Sequence, residues 1–458
     1  MSFDFGGFES ADFDVELEDI EIKRTKKLDR MWVLGYGGSI NNTPLLVGQT
    51  LYFGALDGYL YAVNAENGME SWRFKTGGGV VECSPAHWKG KVFFGSFDAY
   101  FYSLDASTGK LLWRFRTGGE IDVSPFVHKG KVIFCSRDSY VYCFDTESGK
   151  EVWKFRTGDE IASAPAAYGN RVFVGSFDEN LYCLDFETGH EIWRFKTGAE
   201  IHNDNPFMIK NGVIYFTSFD NFLYAVDIET GKEIWRFRTG RYGNAGTPNI
   251  FDGKLFHAGR DGIMYCLDVQ TGKELWRFVT ESDNSMDQIP LIHDGVLYFG
   301  GSDGNFYALR AENGKELWRF KTSGGIFSSP VLYKNRLCFG SWDCHLYCIN
   351  LTGKEIWRFQ TSTLQQSYLP KAFQEFKMEV KKTFIVEEVK QNEKYTSKKG
   401  EIISLSDYNV KSDYATTSEY KQKSDYDVSF ILFEDILECE NIWISVLRVS
   451  SHLISTSR

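Results

Sequence analysis

Four carboxylates stand in comparable places along this chain: Glu82, Asp122, Asp204 and Asp287 each lie two or three residues before a proline. Gathered into one funnel, they could hold a hard cation such as calcium, which takes oxygen ligands at about 2.3–2.6 Å. They could also pair for metal-assisted hydrolysis, one carboxyl raised in pKa by its neighbour's charge. Cysteine chemistry is the other candidate, since the chain has nine cysteines. Cys344 and Cys348 could approach one another across a strand, but no second Cys/His pair with zinc spacing accompanies them. Cys143, Cys183, Cys266 and Cys348 fill one recurring slot, held elsewhere by Ala62, Ser103, Ala225 and Ala308. A slot shared with Ala and Ser wants a small buried side chain, and free Cys behaves as a small hydrophobe. The eight histidines show no paired spacing, and no nucleophile, base and orienting group stand together in the linear sequence.

Whatever positions these residues is a repeat. The stretch 105–118, Asp-Ala-Ser-Thr-Gly-Lys-Leu-Leu-Trp-Arg-Phe-Arg-Thr-Gly, recurs up to residue 361. Its Trp falls at Trp32, Trp72, Trp113, Trp153, Trp193, Trp235, Trp276, Trp318 and Trp357, a period of 39 to 42 residues. Trp72-Arg-Phe-Lys alternates apolar and charged, so Trp72 and Phe74 share one face. A Gly-rich turn follows, then a strand entering through Ser84-Pro85. The β-branched and aromatic run Lys91–Gly95 comes next, then Tyr100–Leu104, and Thr108-Gly109 turns the chain into Trp113. Four short strands per unit of about 40 residues predict a propeller blade. Eight prolines share one position (Pro44, Pro85, Pro125, Pro165, Pro206, Pro248, Pro290, Pro330), where a missing N–H donor costs the sheet least. Asp57, Asp98, Asp138, Asp178, Asp220, Asp261, Asp303 and Asp343 recur at the second hairpin. An Asp there bonds its own turn, so these read as turn formers, not catalysts.

The expected fold is all-β: an eight-bladed propeller of four-stranded antiparallel blades over residues 31–361. An acidic N-terminal arm (1–30) and a C-terminal extension (362–458) flank it. Nine Trp strands for eight Pro-centred sets leave one over, so either the Trp32 or the Trp357 strand completes the last blade. The arm is acidic up to Glu21 and basic from Lys23 to Arg30, which predicts a solvated, disordered segment. Its Phe3, Phe5, Phe8 and Phe13 are alternatively a short linear motif that docks on a partner or on the propeller. The extension abandons the repeat for a hexad of Ser406-Asp-Tyr408, Ser412-Asp-Tyr414, Ser418-Glu-Tyr420 and Ser424-Asp-Tyr426.

The formal charge of −11 and the lack of a basic stripe argue against a nucleic-acid partner. No apolar run approaches the roughly 20 residues of a membrane helix. With no signal peptide and no lipid-attachment cysteine near the start, the expected location is the cytoplasm.

The recurring Asp-x-x-Thr-Gly-Lys-x-x-Trp-Arg-Phe, with Gly-Gly and Ser-Pro after it, resembles the PQQ-type propeller repeat over residues 31–361. That family includes the eight-bladed quinoprotein alcohol dehydrogenases and a bacterial outer-membrane assembly lipoprotein, a non-catalytic scaffold. The resemblance implies that Trp72, Trp113, Trp153, Trp193, Trp235, Trp276, Trp318 and Trp357 dock neighbouring blades together. PQQ or calcium is implied by resemblance only. The dehydrogenases' vicinal Cys-Cys is absent here, and no position matches their calcium ligands or catalytic Asp.

The units stop agreeing on one loop face, before the prolines (Asn41, Glu82, Asp122, Asn203, Asp204, Asp287) and ahead of the repeated Asp (Arg137, Arg260, Trp342). Variable polar and aromatic loops over a rigid frame suit recognition; loops that vary because nothing constrains them are the alternative. Because the four carboxylates sit on blades two, three, five and seven, few of them are expected to meet. The expected function is a non-catalytic scaffold binding a protein partner or ligand through this face, with no cofactor. A PQQ-dependent oxidoreductase is the second reading and a metal-assisted hydrolase the third, which requires two of those carboxylates at shared-metal distance.

Overall fold

The computed structural model describes residues 38–361 apart from 81, 241 and 282–285. The N-terminal arm with its phenylalanines, the Trp32 strand and the extension with its Ser-Asp-Tyr hexads lie outside the described residues.

In blade 1, β1 (Leu45–Val47), β2 (Thr50–Gly54), β3 (Tyr59–Asn64) and β4 (Glu70–Lys75) hydrogen-bond in that order, each antiparallel to the next. Seven more blades repeat this over residues 86–116, 126–156, 166–196, 208–238, 249–279, 291–321 and 331–360. The short first strands of neighbouring blades approach one another around the hub. The second and third strands are buried between blades, and the Trp-bearing fourth strand forms the outer rim. Among the described residues there is no helix, and none long and apolar enough to cross a membrane.

The Trp357 strand completes blade 8, so every blade is cut from consecutive sequence and the ring closes without exchanging a strand. Blade 8 meets blade 1 as an ordinary neighbour. The Ile40 N–H donates to Ser341 O at 3.2 Å, Trp357 Nε1 to Ala65 O at 3.2 Å and Arg336 Nη1 to Glu66 O at 2.8 Å. Phe53, Tyr61, Leu346 and Phe359 fill the seam between them.

Each Trp lies against a glycine of the next blade. Trp72 faces Gly109, at φ +69°, where an added Cβ would fall 2.6 Å from the ring; Trp357 faces Gly68 in the same way across the closure. Only glycine combines that left-handed backbone with that close approach. The indole nitrogens of Trp72, Trp153, Trp193, Trp235, Trp318 and Trp357 also donate to a carbonyl of the next blade, at 3.0–3.2 Å. Those of Trp113 and Trp276 are buried without such a partner.

The recurring small slot follows from the same strand. A bulge in the pairing of β3 with β4 sets Ala62 directly opposite Trp72, and Cys143, Cys183, Cys266 and Cys348 stand opposite Trp153, Trp193, Trp276 and Trp357. The indole occupies the volume a larger partner would need. The eight described cysteines are free and buried. Cys348 pairs across its strands with Cys338, not with Cys344, which sits at the turn ahead of that strand.

The repeated Asp is a clip between blades. Asp98 accepts the Tyr100 N–H on Oδ1 (3.0 Å), and on Oδ2 the Tyr102 hydroxyl (2.6 Å) and the Gly77 N–H from the exit of the preceding blade (2.7 Å). Burial and the adjacent carboxylate push the phenols of this set upward, that of Tyr182 to about 12.

Candidate functional site

After each Thr-Gly turn the chain runs into the hub before its proline. The serines of the Ser-Pro motif link these segments around the ring: the Thr43 N–H donates to Ser84 Oγ (2.8 Å), the Ser84 N–H to Ser124 Oγ (3.0 Å) and the Ile289 N–H to Ser329 Oγ (2.8 Å). Deeper in the segment, amide side chains clamp strand ends. Asn42 Nδ2 donates to Gly54 O (2.8 Å) and Val80 O (3.1 Å), and Gln288 holds Gly300 and Ile326 in the same way. Asn203 belongs to this set, fully buried and bonded to Thr217. Its sequence placement on a binding surface therefore needs correcting: the amide is spent inside the blade.

Blade 5 departs from the pattern. Its segment His202–Asn203 pairs in parallel with Ala162–Ser163 of blade 4, and the chain then crosses the hub. Ser124 Oγ of blade 3 donates to Asp204 O (2.8 Å), Thr247 Oγ1 of blade 6 to Asn205 O (3.2 Å) and Thr43 Oγ1 of blade 1 to Asn205 Oδ1 (3.3 Å). One segment thus touches four other blades and plugs the ring. What remains is a cavity of about 20 Å³ lined by Asn41, Asn42, Thr43, Glu82, Ser84, Asp204, Asn205, Asp287 and Phe327.

The expectation that few of the acids would meet is overturned. Glu82, Asp204 and Asp287 line this one cavity because the plug carries blade 5 across to blades 1 and 2. Glu82 and Asp204 each place a carboxylate oxygen within 4.8 Å of the other and of a His202 ring nitrogen. Asp122 is the exception, 1% exposed and tied to Arg137 through Nε (2.7 Å) and Nη2 (2.6 Å). A second pair, Arg260 Nε with Asp287 Oδ1 (3.5 Å), stands on blades 6 and 7.

Between the two arginines runs a continuous band. The Arg137 guanidinium lies over the Phe177 ring (5.1 Å), Phe177 meets His202 edge-on (6.0 Å), His202 stacks on Phe219 (5.7 Å, 9°) and Arg260 covers Phe219 (5.0 Å). Four of these five come from the position just ahead of the repeated Asp. Trp342, from the same position in blade 8, stacks on Phe327 at 4.3 Å. Phe177, His202, Phe219 and Arg260 are half-buried, and the Arg137 side chain is 8% exposed.

His202 was missed by the sequence reading. Spacing carries only a weak signal: Thr to Pro is eight residues in blades 3, 4 and 8 (Thr117–Pro125, Thr157–Pro165, Thr322–Pro330), nine in blades 2, 5 and 6 (Thr76–Pro85, Thr197–Pro206, Thr239–Pro248) and ten in blade 7 (Thr280–Pro290). Among these longer segments, that of blade 2 carries Glu82 and that of blade 5 carries His202 with Asp204.

A fused-ring quinone does not fit the hub, because a cavity of about 20 Å³ holds roughly one water or ion. Nor do any two of the described cysteines adjoin in sequence to lie against such a ring.

Compared with known families, residues 121–419 match the one described as the β-propeller of the beta-alanine-activating enzyme, and residues 56–146 match that described as outer membrane protein assembly factor BamB. No curated protein matches the chain. Among solved structures, BamB from Moraxella catarrhalis is 18% identical, covering 68% of this chain and 92% of its own, with a TM-score of 0.55. Quinohemoprotein alcohol dehydrogenase from Comamonas testosteroni is 18% identical, covering 72% and 76%, with a TM-score of 0.59. The computationally designed Ika8 protein is 15% identical, covering 71% and 98%, also at 0.59. At such identities the likeness is one of fold.

Proposed function

This chain belongs to the β-propeller family of the beta-alanine-activating enzyme and carries PQQ-type repeats, and on that premise we propose that it is a non-catalytic scaffold whose loop face binds a protein partner. The observation that carries this reading is the plugged hub beside a band of partly buried rings and guanidinium groups. The filled hub has room for about one water or ion, while Arg137, Phe177, His202, Phe219 and Arg260 form a strip of the residue types that interfaces favour. The fold likeness to a BamB and to an alcohol dehydrogenase is compatible with a scaffold and with an enzyme alike, and the filled hub is what favours the scaffold in our reading.

The test is affinity capture from cells with full-length protein and a Phe177→Ala, Phe219→Ala, Trp342→Ala triple variant that melts within a few degrees of the parent. Specific partners should fall by about tenfold or more, as anchor truncations do. Undiminished recovery overturns the assignment to this face.

A hydrolase reading gains one point: Glu82 and Asp204 do stand at shared-metal distance. A cytoplasmic setting is part of our reading, and eight free, buried cysteines support it.

A further inference from the structure

Three donor atoms of the metal-binding kind converge at the plug: a carboxylate oxygen of Glu82, a ring nitrogen of His202 and a carboxylate oxygen of Asp204, all within 4.8 Å of one another. We propose that they bind a divalent first-row transition metal, of the Mn²⁺ or Zn²⁺ kind, that staples blade 2 to blade 5 across the hub.

The one close donor pair has a spacing that a coordination sphere accommodates. His202 Nε2 and Asp204 Oδ1 are 3.0 Å apart, the separation of adjacent ligands in an octahedron with bonds of about 2.1 Å; opposite ligands would stand about 4.2 Å apart. Glu82 adds a carboxylate oxygen within 4.8 Å of both. The donor set also chooses the metal. Imidazole with two carboxylates suits zinc or manganese, whereas calcium takes oxygen ligands alone.

Two further features favour a cation over a simple hydrogen-bonded cluster. The His202 ring is already oriented, stacked on Phe219 and met edge-on by Phe177, so little order is lost on binding. Glu82 is buried with a second carboxylate within 4.8 Å, a concentration of negative charge that the Arg137 guanidinium offsets in part and a bound cation would offset further. The ion-sized cavity alongside, with Asn41, Thr43, Ser84 and Asn205 on its wall, offers oxygen atoms for the remaining positions or for metal-bound water. The site is structural in this account and holds whether or not the loop face binds a protein.

The experiment uses full-length protein stripped with a chelator, titrated calorimetrically with Zn²⁺, Mn²⁺ and Ca²⁺, and melted with and without each. We expect one Zn²⁺ or Mn²⁺ per chain with a rise in melting temperature, and both effects weakened at least about tenfold in His202→Gln and in Asp204→Asn. Glu82→Gln, which keeps the side-chain volume, must show the same loss and stands in should either of the others fail to fold. Absence of binding by both transition metals overturns the proposal. So does affinity unchanged in the variants, or Ca²⁺ bound as tightly as Zn²⁺ and Mn²⁺.

Discussion

His257 shows how one residue can be set against its repeat. Its position in the second strand belongs to Phe53, Phe94, Phe134, Phe216, Phe299 and Phe339 in six other blades. The imidazole is completely buried, pairs through Nε2 with Asn244 Oδ1 (3.1 Å) and lies parallel to Tyr265; burial pushes its pKa down to about 3. Above the ordinary value near 6.5 it is neutral folded or unfolded, so its full contribution is present there. As the pH falls below 6.5 the unfolded chain takes up the proton first, and stability drains at up to about 1.4 kcal/mol per pH unit until the folded pKa is reached. His257→Phe removes that term. Between pH 7 and 5 the parent should lose about 2 kcal/mol more than the variant in urea unfolding, and parallel losses would contradict the assignment. At this scale the sequence was half legible. Glu82, Asp204 and Asp287 could be picked out as acids before prolines, but His202 could not, because its relation to Glu82 spans three blades and exists only once the plug has crossed the hub.

At the scale of the element, the recurring unit is a joint between strands rather than a strand. The motif showed both Trp72 and Gly109, yet not that the indole rests on that glycine, since 37 residues separate them and only the blade stacking joins them. Two glycines isolate the joint. Gly109 and Gly90 have similar backbone angles, φ +69° and +76°, but a Cβ at Gly109 meets the Trp72 ring at 2.6 Å while one at Gly90 meets nothing within 4 Å. Gly90→Ala should cost only the left-handed strain, about 1 kcal/mol. Gly109→Ala should cost about 1–3 kcal/mol beyond that, because the indole must move and the seam with it. Equal denaturation midpoints for the two variants would mean that the Trp–Gly contact contributes little. The Asp clip was read more fully, because its bonds to the turn are local; its reach to Gly77 of the preceding blade was not.

For the whole molecule, the number of blades could be counted from Pro and Trp positions, while the closing strand could not, since Trp32 and Trp357 were equal claimants. The structure gives the closure to Trp357, and blade 8 meets blade 1 through the same indole-to-carbonyl bond as other seams. The plug was invisible in the sequence for a physical reason: an extra residue before Pro206 says that a segment is longer, not where it goes. Our scaffold proposal rests on the plug, because a ring with an open hub can serve as a vessel and one with a filled hub suits a frame. Titration of the full-length protein with PQQ and calcium, followed by melting temperature and by dye-coupled alcohol oxidation, tests that distinction most directly. A filled hub predicts no melting shift and no turnover up to about 100 μM PQQ, well above the range of specific cofactor binding. A saturable shift accompanied by alcohol oxidation would show that the hub opens to a quinone, and the frame would have to be redrawn as an enzyme.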